Sequence, residues 1–303
     1  MSTLHTDEVD IDDSTLRQLV DDQFPQWRGL SLRPAGHGTD NRMVRLGDEL
    51  VLRLPRTPGT AEDVAKESWW LPRLSPHLPL EVPTPMGTGA PGAGYPFPWS
   101  VYRWIEGEPV DPERLRDPEL FGVDLARFVR ALHRIDLMGA TREGTLSHYR
   151  GGRLSDLDAS VRTDLEACRW LPGLDLDLTR LEAIWEDAVD QSLPAQPHTW
   201  MHSDLKPSNL VVRDGRLVGV IDFGGLSVGD PAGEHAAIWD LPAAARRSYA
   251  EELAIPRGTR VLARAWALAI SLSGVPYYWE TWPPFVQECL RRLRLILADP
   301  DDL

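Results

Sequence analysis

The chain has 303 residues, of which 42% are apolar and 26% charged, and its formal net charge is −14. This length and apolar content suffice for the core of one or two domains. The acidic balance argues against nucleic acid and against an anionic membrane surface as partners. Two cysteines are too few for a disulfide framework or a cysteine-built metal site. The acidic first residues are typical of neither a signal peptide nor a transit peptide, so we expect a cytoplasmic protein.

Residues 1–105 are predicted to form a small lobe rich in β-structure. A short helix over residues 12–24 comes first, and alternating apolar residues predict a hairpin over residues 43–54. A second helix is expected from Thr60 to Pro72, where proline interrupts the pattern. A β-prone run, WSVYRWI, then closes the lobe.

Residues 106–303 are predicted to form a larger, mainly helical lobe, since their apolar residues recur at helical spacing. The predicted helices cover residues 120–136, 156–171, 178–191, 232–253, 259–272 and 285–298. One segment, residues 201–225, breaks this period and reads as loop, strand, turn, strand and loop.

The embedded hairpin gathers chemically active residues. Its turn is predicted at Asp214–Gly215, a strong two-residue hairpin signal. This turn brings Asp204, Asn209 and Asp222 towards one open end of the hairpin. Such a set can hold Mg²⁺ through oxygen ligands that also touch a nucleotide, while another carboxylate accepts a proton.

The motif HSDLKPSN followed by IDFG resembles the catalytic and metal-binding loops of the protein-kinase-like fold. With the matching elements between about residues 30 and 240, the chain is similar to the aminoglycoside phosphotransferase family. The resemblance implies an α+β, two-lobed fold. Its nucleotide-binding lobe would be residues 1–105 with the hinge, and its helical lobe, residues 106–303, would hold both loops and the acceptor site.

The resemblance also assigns roles to the two loops. Asp204 would be the catalytic base that faces the substrate hydroxyl, and Asn209 and Asp222 would hold the magnesium ions that bridge the ATP phosphates. Lys206 would either reach the transferred phosphate or be a solvated surface lysine. His202 is expected to pack beneath the loop.

On the nucleotide side, Gly36, Gly38 and Asn41 would belong to the loop above the phosphates, where glycine lets backbone come close to a ligand. Arg53 stands where the family has lysine. Arginine keeps the charge and can bind phosphate bidentately, but it is longer and planar. Glu67 would pair with Arg53 and orient it, or would face solvent.

The last strand of the small lobe and the hinge are expected at residues 99–107, where backbone groups of Arg103 and Ile105 would hold adenine. Tyr102 would stand at the entrance to the deeper part of the pocket, where a bulky residue can bias the choice between ATP and GTP. The expected cofactors are ATP, with GTP as the alternative, and Mg²⁺.

The acceptor site is expected in the helical lobe. Asp230 matches a family position with a structural role, and Glu234 stands where relatives usually have aspartate. A mixed aromatic and acidic group would suit a polycationic sugar by charge attraction and stacking, or would pack helices together. Its members are Trp239, Asp240, Tyr277, Tyr278, Trp279, Glu280 and Trp282.

These features predict an ATP-dependent O-phosphotransferase for a small hydroxylated molecule, with an aminoglycoside or related, cationic antibiotic as the leading acceptor. The alternatives are a kinase of a macrolide or of a choline-like or sugar metabolite, and a nucleotide-binding pseudokinase scaffold, which only Arg53 favours. The protein is expected to be a monomer or a homodimer.

Overall fold

The computed structural model describes residues 8–9, 11–37, 40–191 and 196–298. Its helices are α1 (Asp13–Gln23), α2 (Pro58–Leu74), α3 (Pro118–Arg134), α4 (Asp158–Arg169), α5 (Leu178–Val189), α6 (Ala243–Leu253), α7 (Arg257–Tyr278) and α8 (Pro283–Ala298). Its strands are β1 (Leu32–His37), β2 (Asn41–Leu46), β3 (Leu50–Pro55), β4 (Pro85–Gly89), β5 (Trp99–Arg103), β6 (Glu108–Pro109), β7 (Thr199–Met201), β8 (Leu210–Arg213), β9 (Arg216–Val220) and β10 (Ser227–Gly229).

The chain divides into two compact units. The first contains Met1–Gly107 together with Gly219–Gly224, and the second contains Glu108–Val218 and Gly225–Leu303. The short return of the chain to the first unit carries Asp222. A sheet-rich part followed by a helical part makes the protein α+β, as predicted.

The first unit is built on a five-stranded antiparallel sheet with the strand order β1-β2-β3-β5-β4. The predicted hairpin is confirmed as β2 and β3, which turn at Gly47 with a φ of +63°. Helix α1 begins after Asp12, whose carboxylate accepts a hydrogen bond from the Thr15 N–H. The apolar face of α1 packs on the sheet in one core cluster that contains Leu16, Leu19, Leu52 and Trp99 among others.

Helix α2 is longer than predicted at both ends. It begins after Thr57 rather than at Thr60, because Pro58 occupies the first helical position, where its missing N–H costs no hydrogen bond. It also continues through Pro72 to Leu74. A proline this close to the end removes only one intrahelical hydrogen bond, so the last turn persists.

The second unit is mainly helical. Helix α3 packs against α6, and the long helix α7 packs against α8, α4 and α5. The predicted helix over residues 232–253 is two elements, a 3₁₀ segment, Pro231–Asp240, and α6, because Pro242 interrupts it. No helix among the described residues combines the length and the apolar character needed to cross a membrane.

The hairpin between β8 and β9 has the predicted turn. Asp214 and Gly215 both have positive φ, 55° and 80°, as a type I′ turn requires. Strand β8 pairs on its other side with β6. The loop that carries Asp204 and Asn209 therefore leads directly into a strand with fixed neighbours.

Candidate active site

In the first unit, Arg53 lies at the centre of a buried ionic network. The arginine lies on β3, and its Nη1 donates to Glu67 Oε1 while its Nη2 donates to Asp222 Oδ1 at 2.9 Å. Burial disfavours the charged form of Arg53, but the two carboxylates outweigh it and raise the pKa of the guanidinium above its ordinary value. The network therefore links β3, α2 and the loop that follows β9.

Glu67 connects this network to the hinge strand. Its side chain is fully buried on α2 rather than facing solvent, and its second oxygen, Oε2, accepts a hydrogen bond from the Tyr102 hydroxyl. Burial raises the pKa of Glu67, and the neighbouring Arg53 opposes that shift. Tyr102 on β5 is thereby held in one orientation, a contact that the sequence did not indicate.

Asn41, the first residue of β2, belongs to the same network. When the amide is oriented so that its oxygen faces Arg53, that oxygen accepts hydrogen bonds from both Nε and Nη2 at 3.1 Å. Gly36 adopts a φ of +93°, which glycine allows without strain. Gly38 lies outside the described residues. Asn41 thus braces the arginine, a role that we had not expected.

The remaining hinge residues have contrasting environments. Arg103 ends β5 with an exposed side chain, and its backbone N–H donates to the Thr84 carbonyl at 3.0 Å. Ile105 is buried, and a side chain added at Gly219 would collide with it. The contacts of Arg103 and Ile105 with adenine stay predictions.

Asp222 holds a conformation that few non-glycine residues adopt. Its φ is +63°, in the left-handed region, and its side chain is 44% exposed. Two residues later, the Gly224 carbonyl accepts a hydrogen bond from Lys66 Nζ. Lys66, on α2, also pairs with Asp63 at 2.9 Å. We had not singled out Lys66, because nothing in the local pattern of α2 distinguishes it from a surface lysine.

In the second unit, the Asp204 carboxylate is bound on both of its oxygens. Arg150 Nη1 lies 2.9 Å from Oδ1, while Lys206 Nζ and Asn209 Nδ2 lie 3.1 and 3.0 Å from Oδ2. Burial alone would raise the pKa of Asp204, but Arg150 and Lys206 outweigh it and hold that pKa well below its usual range. Asp204 is therefore ionised and fixed in orientation.

Arg150 is a functional candidate that the sequence analysis missed. It lies in the short 3₁₀ turn Tyr149–Gly151, and its Nη1 donates both to Asp204 and to the Ser203 carbonyl. Its Nε donates to the Tyr149 hydroxyl at 3.0 Å. The sequence offered no signal for Arg150, because this turn has no periodic pattern and precedes Asp204 by 54 residues.

Glu234 binds the backbone of the loop that carries Asp204. It is buried, and its two carboxylate oxygens accept the backbone N–H groups of His202 and Ser203, both at 2.8 Å. Ser203 has a φ of +66°, so these bonds stabilise an unusual turn. Burial raises the pKa of Glu234 to about 7. Asp230 has the expected structural role, since its carboxylate accepts the Ala232 N–H at 2.9 Å.

Residues 31–267, most of the chain, match the model of the phosphotransferase enzyme family. The chain belongs to this family. The predicted enzyme class, a phosphotransferase, is therefore confirmed. No curated protein sequence is significantly similar to this phosphotransferase.

Solved structures share the fold of this phosphotransferase. The GDP and kanamycin complex of APH(2")-IIia matches with a TM-score of 0.75 at 17% identity, covering 93% of this chain and 98% of that one. The ADP-bound aminoglycoside phosphotransferase APH(2'')-Ib gives 0.64 at 18%, covering 94% and 98%. Macrolide 2'-phosphotransferase MphH from Brachybacterium faecium gives 0.61 at 23%, covering 96% and 100%. These likenesses confirm the predicted two-lobed fold.

Two members of the aromatic and acidic group are core residues of the phosphotransferase. Trp239 is buried, with the guanidinium groups of Arg246 and Arg264 within 5.1 and 5.8 Å of its ring. Asp240 is also buried, and it pairs with arginines of α8 at 3.1 and 2.6 Å. For these two residues, the structure supports the helix-packing alternative and not a contact with the acceptor.

The rest of that group lies around the turn between α7 and α8. Tyr278 contacts Trp282 and Phe285 edge-on, and the latter two rings stack at 4.9 Å. Tyr277 is 68% exposed. The ring contacts fit the helix-packing alternative, whereas an acceptor contact of Tyr277 stays a prediction.

The metal-binding residues also stay predictions. Asn209 belongs to the second unit and Asp222 to the first. Among the described residues, no group of three or more His, Cys, Asp or Glu side chains could hold a metal ion. The predicted ligand pair, Asn209 and Asp222, is not of that kind, because it consists of one amide and one carboxylate.

Proposed function

We propose that this phosphotransferase moves the γ-phosphoryl group of ATP to a hydroxyl group of a small molecule, with Asp204 facing that hydroxyl. The supporting observation is the binding of the Asp204 carboxylate by Arg150, Lys206 and Asn209. An ionised carboxylate in a fixed orientation can orient the attacking hydroxyl and accept its proton. Phosphoryl transfer needs little beyond such positioning and charge stabilisation.

We propose Asn209 and Asp222 as ligands of Mg²⁺. Both supply hard oxygen atoms, which this cation prefers. Asn209 Nδ2 donates to the Asp204 carbonyl at 2.8 Å, which fixes the amide and leaves its oxygen as the suitable ligand atom. When bound, the metal would neutralise charge on the phosphates. Arg53 holds the Asp222 carboxylate and would add positive charge beside them.

We propose that the nucleotide binds the first unit. Gly36, Gly38 and Asn41 would lie near its phosphates, and Arg103 and Ile105 would hold the base. Similar structures contain GDP or ADP, which supports nucleotide binding. Tyr102, fixed by Glu67, would limit the depth of the pocket and so influence the choice between ATP and GTP.

The acceptor that we propose first is an aminoglycoside or a related antibiotic. The family membership, the kanamycin bound to a protein of the same fold and the net charge of −14 support it. The acceptor would bind the second unit, which carries Asp204. In this proposal the enzyme works in the cytoplasm, as a monomer or a homodimer.

A macrolide is the second candidate acceptor, because two cations lie next to the reactive carboxylate. Arg150 and Lys206 both contact Asp204, and the exposed aromatic ring of Tyr149 lies beside Arg150. Cations at this place repel the several ammonium groups of an aminoglycoside. A macrolide has one such group and a large apolar surface, which suits the tyrosine.

The experiment uses the purified protein to screen small molecules for phosphorylation. Aminoglycosides, macrolides and hydroxylated metabolites are incubated with ATP or GTP and Mg²⁺, and mass spectrometry detects the gain of one phosphoryl group. We expect an aminoglycoside to gain it, and turnover to fall by about 10²-fold or more in Asp204→Asn while nucleotide still binds. Modification of macrolides alone would replace the leading acceptor. Nucleotide binding without any transfer would favour the scaffold alternative and contradict the proposal.

A further inference from the structure

The chain uses lysine at only two positions among its 32 basic residues, Lys66 and Lys206. Lys206 belongs to the loop of Asp204. Lys66 is buried on α2, where a charged group is stable only with partners. Lysine and arginine are not interchangeable, since an ammonium group is a compact charge and a guanidinium is a long, planar fork. A buried lysine in an arginine-rich chain therefore calls for a specific contact.

The contact of Lys66 is with the segment that contains Asp222. Its Nζ donates to the Gly224 carbonyl, and Asp63, one turn earlier on α2, holds the same ammonium group at 2.9 Å. The space around Gly224 is tight, because an added Cβ would lie 3.0 Å from Asp63 Oδ2 and 3.1 Å from Arg53 Nη2. Gly224 therefore lies in closely packed surroundings, beside both Asp63 and Arg53.

Two cations contact Asp222 and Gly224, the first and third of three consecutive residues. Arg53 binds the Asp222 side chain, and Lys66 binds the backbone two residues later. Asp222 itself has a left-handed backbone, which persists only where the surroundings enforce it. The contact with Arg53 restrains the Asp222 carboxylate, but it does not restrain the backbone that follows Asp222. The bond to Gly224 supplies that second restraint.

We propose that Lys66 is a positioning residue that keeps Asp222 aligned for the magnesium–nucleotide complex. The inference rests on the proposed role of Asp222 as a metal ligand. Residues that orient a metal ligand without touching the metal typically change metal affinity by about 10- to 100-fold when they are replaced. Loss of the Lys66 contact raises the Mg²⁺ concentration that is required and leaves the affinity for nucleotide in the absence of metal unchanged.

The test measures ADP binding by calorimetry at a series of Mg²⁺ concentrations. Lys66→Met removes the charge at similar length, and we expect it to raise the half-saturating Mg²⁺ concentration about tenfold. Its affinity for ADP without metal stays at the wild-type value. Arg73→Met is the matched control on the same helix, because the Arg73 side chain is exposed and interacts with Trp69 of that helix. This variant should leave the Mg²⁺ dependence unchanged.

Two further variants, Lys66→Arg and Asp222→Ala, make each outcome decisive. Lys66→Arg keeps the buried charge if the methionine variant fails to fold, and its longer fork should still raise the Mg²⁺ requirement. A lower melting temperature with a wild-type Mg²⁺ requirement would mean a purely structural lysine and overturn the inference. Asp222→Ala should abolish the Mg²⁺ dependence. If it does and the Lys66 variants behave as wild type, only the role of Lys66 fails; if it does not, the metal assignment fails and this inference with it.

Discussion

At the scale of single residues, the contacts of the Asp204 carboxylate determine how it could act in the proposed role of a base. Both of its oxygens already accept bonds from protein groups, and Arg150 and Lys206 hold its pKa well below its usual range. Such a carboxylate is a weak proton acceptor but a precise orienting group. The loose transition state of phosphoryl transfer needs orientation of the hydroxyl more than early removal of its proton.

Arg150 should therefore matter for turnover. Arg150→Met removes the bonds to Asp204 and to the Ser203 carbonyl, so the carboxylate loses its fixed direction. We expect kcat to fall by about 10²-fold, as for other small displacements of a reacting group, with little change in the KM for nucleotide. Arg150→Lys should retain part of the activity.

Steady-state kinetics with the acceptor found in the screen checks this prediction. Arg162→Met serves as the control, because that arginine pairs with Asp158 and Glu186 on the exposed surface of the second unit. A wild-type kcat in Arg150→Met would show that Asp204 does not depend on the arginine.

At the scale of elements, the contiguous motifs were predictable and the contacts between distant segments were not. The loop of Asp204 and Asn209 and the Asp214–Gly215 turn are readable, because residue type and short spacing carry the information. Lys66 and Gly224 are 158 positions apart, and neither lies in a motif that names the other. Such pairs depend on packing, which local patterns do not encode.

Helix boundaries show the same limit. The apolar pattern predicted the existence of α2, but its start was expected at Thr60, two residues after Pro58, which begins the helix. Periodicity also joined the 3₁₀ segment Pro231–Asp240 to α6, although Pro242 separates them. The apolar pattern does not distinguish a 3₁₀ segment packed in a core from an α-helix.

The 3₁₀ segment gives a prediction about pH. The pKa of Glu234 is raised from 4.5 to about 7 by burial, so the folded protein binds this proton more tightly than the unfolded chain does. The contribution of Glu234 to the free energy of unfolding is therefore full below pH 4.5 and is lost as pH rises through 7. Between pH 5 and 7.5, the loss should be about 2 kcal/mol.

Denaturant titrations of the wild type and of Glu234→Gln at several pH values measure this contribution. Glutamine does not titrate, so the difference in unfolding free energy between the two proteins should change by the predicted amount across the range. The offset caused by altered hydrogen bonds to His202 and Ser203 is constant and does not enter. Parallel pH profiles would contradict the raised pKa.

At the scale of the whole molecule, net charge and local charge point to different acceptors. The total of −14 would attract a polycationic aminoglycoside. Two cations and an amide contact the Asp204 carboxylate, and the two cations would repel ammonium groups of the acceptor near the hydroxyl group that is phosphorylated. Interactions between exposed charges are screened over about 8–10 Å at ordinary ionic strength. Salt dependence therefore reveals which charges the acceptor meets.

If the acceptor is an aminoglycoside held by carboxylates, its KM should rise severalfold as salt increases from about 50 to 300 mM, because screening weakens that attraction. The KM for nucleotide at saturating Mg²⁺ should rise less, and it serves as the internal control. A macrolide, with one cationic group, should show an almost constant KM and should instead be sensitive to Tyr149→Ala, since that exposed ring lies beside Arg150. Kinetics of the identified acceptor over this salt range separate the two classes, and a constant KM for an aminoglycoside would contradict its binding by carboxylates while leaving the phosphotransferase assignment intact.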